Sequence, residues 1–377
     1  MKVLFLCSSL EPGRDGVGDY TRRLAGQLLI QGYQTGIVAL HDRHLKSSEI
    51  AGSQFDGQQE IHVFRLSSEL AWEDRILKAQ YYVKDFDPDF ISLQYVSYGF
   101  QDKGLPFRLS GKLKKVVGNI RLHIMFHELW LGIRTNSSIK HKIYGYFQTR
   151  IAKNIIDDLA PCSISTSNKL YQLAMERKKI ISNILPLFSN IPILEMDKDF
   201  VNSVFNLIKI NDRNDFTLIG IFGTLYPHIS VEQVIHQQYS KYLKENKKLV
   251  IIFFGRIGYF TEYERLKKIF SNQVDFVYLG ELSEREVSSM LQILDKVISC
   301  TPFEYLGKSG VYAAFKLHNL EVISVPANDI PEYALEINSH NCYLENRNPN
   351  NWSAEFIARK FINLLYTHRL SYIFGII

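Results

Sequence analysis

Short apolar runs alternate with amphipathic stretches of ten or more residues along the whole chain. Val3–Ser8, Gln34–Leu40, His62–Leu66, Phe90–Gln94, Leu122–His127 and Cys162–Thr166 read as strands, separated by helical patterns such as Tyr20–Gln31, Trp72–Asp85 and Ile139–Leu159. Strands joined by helical crossovers predict an α/β fold, with a doubly wound parallel sheet covered on both faces. The pattern breaks over residues 185–197, where Pro186 and Pro192 interrupt it, and then restarts. Phe216–Phe222, Leu249–Phe254, Phe276–Leu279, Lys296–Cys300 and Glu321–Val325 read as a second set of strands. Helices at Val231–Glu245, Glu262–Ser271 and Glu284–Ile293 lie between them. A chain of 377 residues suits two domains. The expected division is 1–190, 191–352 and a helical segment 353–377 that returns to the first domain. Ligands of such sheets bind outside the carboxyl ends of the strands, and two such domains facing each other would enclose a cleft there.

Composition narrows the function classes. The net charge is +5, with Lys and Arg spread along the chain, so a dedicated nucleic-acid binder is not expected. Lys112, Lys114, Lys115 and Arg121 cluster locally. They read as a solvated helix face, with a peripheral membrane contact as the alternative. Cys7, Cys162, Cys300 and Cys342 pair at no metal or redox spacing and read as free thiols of a reducing, cytoplasmic setting. No apolar run is long enough to span a bilayer, and the opening VLFLC run reads as a strand, being too short for a signal peptide.

The chemistry-bearing residues fall just after the strands. After the first comes EPGRDGVGDYTRRLAGQL, a glycine loop that opens a helix. Gly16, Val17 and Gly18 put backbone amides and a helix N-terminus at the sheet edge, a place that attracts phosphate or sugar oxygens. Thr21 stands where a dinucleotide fingerprint needs its third glycine, which argues against a nicotinamide enzyme. His127 and Glu128 end another strand, where a histidine can donate a hydrogen bond to substrate or act as acid and base near neutral pH. Gln94, Tyr95 and Tyr98 follow a third strand; they line an acceptor pocket or form a packed tyrosine cluster.

In the second half, Gly223 and Thr224, then Gly255, Arg256 and Gly258, end successive strands. Arg256 offers a planar fork to a phosphate, or is a surface arginine. Gly280, Glu281 and Leu282 follow the next strand, and Ser283 with Glu286 forms a capping-box pattern. Glu304 and the run Gly307, Lys308, Ser309, Gly310 make a second phosphate-type cradle at a helix start. Pro302 breaks the spacing of a triphosphate-binding loop.

Together these stretches resemble the retaining glycosyltransferase family 4 on the GT-B fold, across nearly the whole chain. The matching segments are DGVGDYTRRLA, IMFHELW, LPLFSNIP, GIFGTLY and VYLGELSEREV. The resemblance implies two Rossmann-like domains, acceptor-side first and donor-binding second. It also implies transfer of a sugar from a nucleoside diphosphate sugar to a hydroxyl of a sugar, lipid-linked or small-molecule acceptor. Neither a metal nor a cofactor beyond the donor substrate is implied. Donor contacts are expected from Gly16, Val17, Gly18, Gly223, Thr224, Arg256, Gly280, Leu282, Glu304, Gly307, Lys308, Ser309 and Gly310. His127 is expected at the reacting sugar, with Asp19 and Glu128 as polar neighbours on the acceptor side.

Two departures stand out. GTLYPHIS lacks the Lys and Arg that many members use on the diphosphate, leaving Arg256 or Lys308 for that role. Tyr312 stands eight residues after Glu304, where many members carry a second glutamate for the ribose. An inverting transferase or nucleotide-sugar epimerase on the same fold, and a non-catalytic sugar-nucleotide-binding subunit, are the alternatives.

Overall fold

Strands buried on both faces read as unbroken apolar runs, because neighbouring residues point to opposite faces and both faces are covered. The run Lys248–Phe254 shows this directly: Leu249, Ile251 and Phe253 enter one core, and Val250, Ile252 and Phe254 enter the other. The structure, a computed structural model, describes residues 1–227, 229–325, 329–335, 337 and 348–373. Cys342 lies outside the described residues; Cys7, Cys162 and Cys300 are free thiols.

The chain divides into two compact units. One takes Met1–Pro186, Asp329–Tyr343 and Ala354–Ile377; the other takes Leu187–Asn328 and Leu344–Ser353. The division falls a few residues before the expected 190/191 boundary, and Asp329–Tyr343 groups with the first unit rather than the second.

The first unit contains β1 (Lys2–Cys7), α1 (Gly16–Ile30), β2 (Gln34–Asp42), β3 (Glu49–Phe55), β4 (Glu60–Ser67), α2 (Trp72–Phe86), β5 (Phe90–Tyr95), α3 (Ser97–Phe100), α4 (Leu109–Val117), β6 (Arg121–Phe126), α5 (Ile139–Leu159), β7 (Ser163–Thr166), α6 (Lys169–Glu176) and β8 (Asn183–Ile184). The sheet order is β3-β4-β2-β1-β5-β6-β7-β8, parallel throughout except for the β3–β4 pair. Direction of winding reverses between β1 and β5, so the crevice for a ligand opens at their carboxyl ends.

The second unit contains α7 (Lys198–Ile208), β9 (Phe216–Phe222), α8 (Val231–Lys244), β10 (Lys248–Phe254), α9 (Phe260–Ile269), β11 (Asp275–Tyr278), α10 (Glu284–Ile293), β12 (Lys296–Ser299), α11 (Gly310–Leu317) and β13 (Glu321–Ser324). Its all-parallel order is β11-β10-β9-β12-β13, with the reversal between β9 and β12. Helices α8 and α9 cover one face, and α7, α10 and α11 the other. The last helix, α12 (Ala354–Ile373), belongs to the first unit, where Phe361 stacks on Phe5 at 5.8 Å. No helix among the described residues is long and apolar enough to cross a membrane.

Candidate functional site

In the second unit, three neighbouring strands leave the sheet through left-handed glycines. Gly223 after β9, Gly255 after β10 and Gly280 beyond β11 have φ of 87°, 80° and 75°. Only glycine adopts these angles without strain. The turns are tied edge to edge, since Gly223 N–H donates to the Phe254 carbonyl and Gly255 N–H to that of Gly280. Thr224 packs against the backbone at Gly258, where an added Cβ would meet its methyl at 2.8 Å. Gly223, Thr224, Arg256, Gly280 and Leu282 therefore share one sheet edge.

The β12 loop reaches the same edge on the other side of the reversal. It passes through a 3-10 turn, Phe303–Lys308, and enters α11. Glu304 is half-buried and Gly307 buried. Gly307 also gives its carbonyl to Leu187 N–H. Lys308 Nζ lies 5.8 Å from the centre of the Tyr305 ring. Ser309 caps α11, its hydroxyl accepting from Tyr312 N–H at 3.1 Å. Gly310 then starts the helix, leaving a neutral cap beside a lysine at a helix N-terminus. That combination suits a phosphate.

Arg256 forms a surface ion pair. Its guanidinium bonds Glu281 at 3.2 and 3.3 Å, on a side chain 81% exposed. The capping box at α10 is present, with Ser283 and Glu286 exchanging bonds. Tyr312 is buried and meets Trp352 edge-on at 5.2 Å, so an aromatic packing group fills the position of the second glutamate.

In the first unit, the loop after β1 is held rigidly. Asp42, fully buried, accepts from Ser9 Oγ, Leu10 N–H and Arg65 Nε at 2.8–3.0 Å. Burial works to raise its carboxyl, but the Arg65 bond and the amides of Leu10 and His44 outweigh it and hold the group below the usual carboxylate range. Arg22 reaches the Leu10 carbonyl and Asp19. Asp19 also accepts from Gly13 N–H, so it braces the loop.

At the expected cradle, Gly16–Gly18, the amides of Val17 and Gly18 already have an intramolecular partner. Asp15 caps α1, and its Oδ1 accepts from both Val17 N–H and Gly18 N–H, at 2.9 and 3.0 Å. These amides are occupied by a carboxylate, which repels a second anion. Gly18 is needed for packing: a Cβ there would lie 2.7 Å from the Ser9 carbonyl oxygen. Gly16 has open space.

His127 sits beyond the end of β6, buried, and Tyr20 meets its ring edge-on at 4.9 Å. Burial pushes its pKa down to about 3, so the ring is neutral where an acid–base role near pH 7 would need it to titrate. Nε2 lies 2.8 Å from Gln94 Oε1, which only accepts, so Nε2 carries the proton and Nδ1 keeps the lone pair. Behind Gln94 runs a buried row: Gln94 Nε2 to Ser92 Oγ, Ser92 to His123 Nδ1, and His123 Nε2 to Ser165. Gln94 and Tyr95 are buried, Gln94 Oε1 and the Tyr95 carbonyl each accepting from His127; Tyr98 is half-buried and Glu128 exposed. Sequence reasoning missed Asp15, Asp42 and Arg65. Only Asp15 carried a signal, as an N-cap residue type directly before a helix. Among the described residues no group of three or more His, Cys, Asp or Glu is placed to hold a metal.

No protein-family model matches the sequence, and no curated protein matches it. Solved structures do. HepE of Anabaena, in complex with UDP and glucose, is 14% identical, with a TM-score of 0.57 over 97% of this chain and 100% of that one. The catalytic domain of starch synthase IV from Arabidopsis thaliana, bound to ADP and acarbose, is 12% identical, with a TM-score of 0.52 over 98% and 99%. UDP-GlcNAc 2-epimerase from Methanocaldococcus jannaschii is 11% identical, with a TM-score of 0.50 over 97% and 100%. At this identity the likeness establishes the fold: the chain has the GT-B fold, two α/β units built on parallel sheets.

Proposed function

We propose that the protein is a retaining, metal-independent glycosyltransferase of the family 4 type, using a nucleoside diphosphate sugar as donor. The observation that carries this reading is the reversal point of the second sheet. There, left-handed glycines and the Ser309-capped start of α11 beside Lys308 share one edge. The nucleotide binds on this edge, with its diphosphate at Lys308 and the α11 amides. HepE and starch synthase IV, solved with UDP and ADP, support a nucleotide donor on this fold.

In the reaction the bond from the sugar's anomeric carbon to the diphosphate oxygen breaks, and one to the acceptor oxygen forms on the same face. The acceptor proton passes to the leaving phosphate. Lys308 and helix amides offset the charge that develops on the diphosphate. His127, neutral with Nδ1 as acceptor, takes a hydrogen bond from a sugar hydroxyl and orients it. His127→Ala lowers turnover while the fold is retained.

A thermal-shift panel of UDP, GDP, ADP and their sugars tests the reading, because a ligand specific to the folded state raises its apparent stability. No shift with any of them would sink it. The anomeric configuration of the product, read by NMR, tests retention. A second reading, a non-catalytic sugar-nucleotide-binding subunit, is favoured by the packed Tyr312, which leaves no second carboxylate for the ribose. Binding without turnover would select it.

A further inference from the structure

A cavity of about 540 Å³ lies in the first unit; its described lining residues all belong to that unit and none to the glycine loop. Its cations are Lys142, Arg150 and Lys153 from α5, and Arg177 and Lys178 just beyond α6. The α5 residues, with Tyr146, follow one another at intervals of three and four and so share a helix face. Among the described residues no carboxylate lines the cavity. Among the described residues no ion pair engages Lys142, Arg150, Lys153 or Lys178. Arg177 instead lies over the Tyr333 ring, 4.9 Å from its centre.

Cations gathered around one space repel each other unless an anion sits among them. Arginine forks and lysine ammonium groups together suit a group with several charged oxygens, which is phosphate chemistry. Trp130, Tyr146 and Tyr333 add flat apolar faces, on which the C–H side of a sugar ring can lie. Trp130 to Ile133 also belong to the segment that directly follows His127 and Glu128, so the cavity adjoins the strand end that carries His127. Next to it, α5 exposes Ile139 and Ile143 to solvent.

We propose that this cavity binds a phosphate-bearing group of the acceptor, an assignment that rests on the glycosyl-transfer reading. The phosphate belongs to a soluble sugar phosphate or to a lipid headgroup, and two arms separate these sources. In the first, glucose 1-phosphate is titrated into the full chain by calorimetry, with UDP present to occupy the second unit. In the second, vesicles of phosphatidylcholine are compared with and without phosphatidic acid. Each arm is repeated with the triple variant Lys142→Ala, Arg150→Ala, Lys153→Ala. All three side chains are at least partly exposed, and the thermal midpoint checks that the fold is kept.

At least one probe binds the natural protein, and the variant binds it at least tenfold more weakly while its nucleotide thermal shift is unchanged. Binding of glucose 1-phosphate assigns a soluble acceptor; binding of the acidic vesicles alone assigns a lipid-linked one. The proposal is overturned if neither probe binds the natural protein, or if the variant binds as tightly. Failure of the transferase reading shows differently, as no thermal shift with any nucleotide in either protein.

Discussion

His127 donates from Nε2 to Gln94 Oε1 at 2.8 Å; burial keeps the ring neutral and this bond decides its tautomer. A neutral, buried imidazole has a cost in acid. Its folded pKa, about 3, lies below the ordinary value near 6.5, so the unfolded chain binds the proton first. The stability it protects is whole above pH 6.5 and drains as pH falls toward 3. From pH 7 to pH 5 this one group should cost the fold about 2 kcal/mol. His41, pushed down to about 4 by burial and by Arg75, adds a loss of the same sign. Comparing urea unfolding of the natural protein and His127→Gln at both pH values isolates the His127 share. An equal acid loss in the two would show that His127 is not held neutral.

Gly16 and Gly18 make a paired test. A Cβ on Gly18 would press on the backbone of Ser9 and Leu10 at 2.7 and 3.2 Å, and backbone cannot swing aside. Gly18→Ala should destabilise by about 1–3 kcal/mol. Gly16→Ala meets nothing within 4 Å and should stay within about 0.5 kcal/mol of the natural protein. Equal effects in chemical denaturation would refute the packing account of the loop.

Asp15 separates capping from anion binding. Asp15→Ala should lose about 1 kcal/mol of stability, because Val17 and Gly18 amides lose their partner. Asp15→Asn keeps the cap and removes the charge. If the donor diphosphate sat at α1, this variant would bind UDP more tightly; the structure predicts unchanged affinity by calorimetry.

Lys308 carries the opposite expectation. Lys308→Ala should lower kcat/KM at least tenfold, the loss of one charge-assisted contact worth roughly 1.5–3 kcal/mol. Steady-state kinetics with the donor identified by the nucleotide panel reads this. Unchanged turnover together with unchanged donor affinity would place the diphosphate elsewhere.

The doubly wound architecture was legible because most of its strands are buried on both faces and so appear as apolar runs. β3 escaped notice for the converse reason: it is an edge strand, mostly exposed, and EIAGSQF offers no continuous apolar stretch. β8 is two residues long, below any periodicity. At the site, strand-end positions were readable, but what occupies each amide was not. DGVGDY shows two glycines and two aspartates; only the folded structure reveals that Asp15 fills the amides that the glycines suggested were open. Likewise, the row of Lys142, Arg150 and Lys153 is visible as helical spacing, but its meeting with Arg177 and Tyr333 depends on the tertiary fold.

The buried row from His127 to Ser165 has a defined sense over its first two bonds. His127 gives to Gln94 and Gln94 to Ser92; the Ser92 hydroxyl meets His123 Nδ1, and His123 Nε2 meets Ser165. The first two bonds share one orientation, because Gln94 turns its carbonyl to His127 and its amide N–H to Ser92. The lone pair that His127 presents on Nδ1 thus rests on the orientation of the Gln94 amide, on the neighbouring strand β5. Ser92, which touches no candidate ligand group, takes part in deciding what the imidazole can offer.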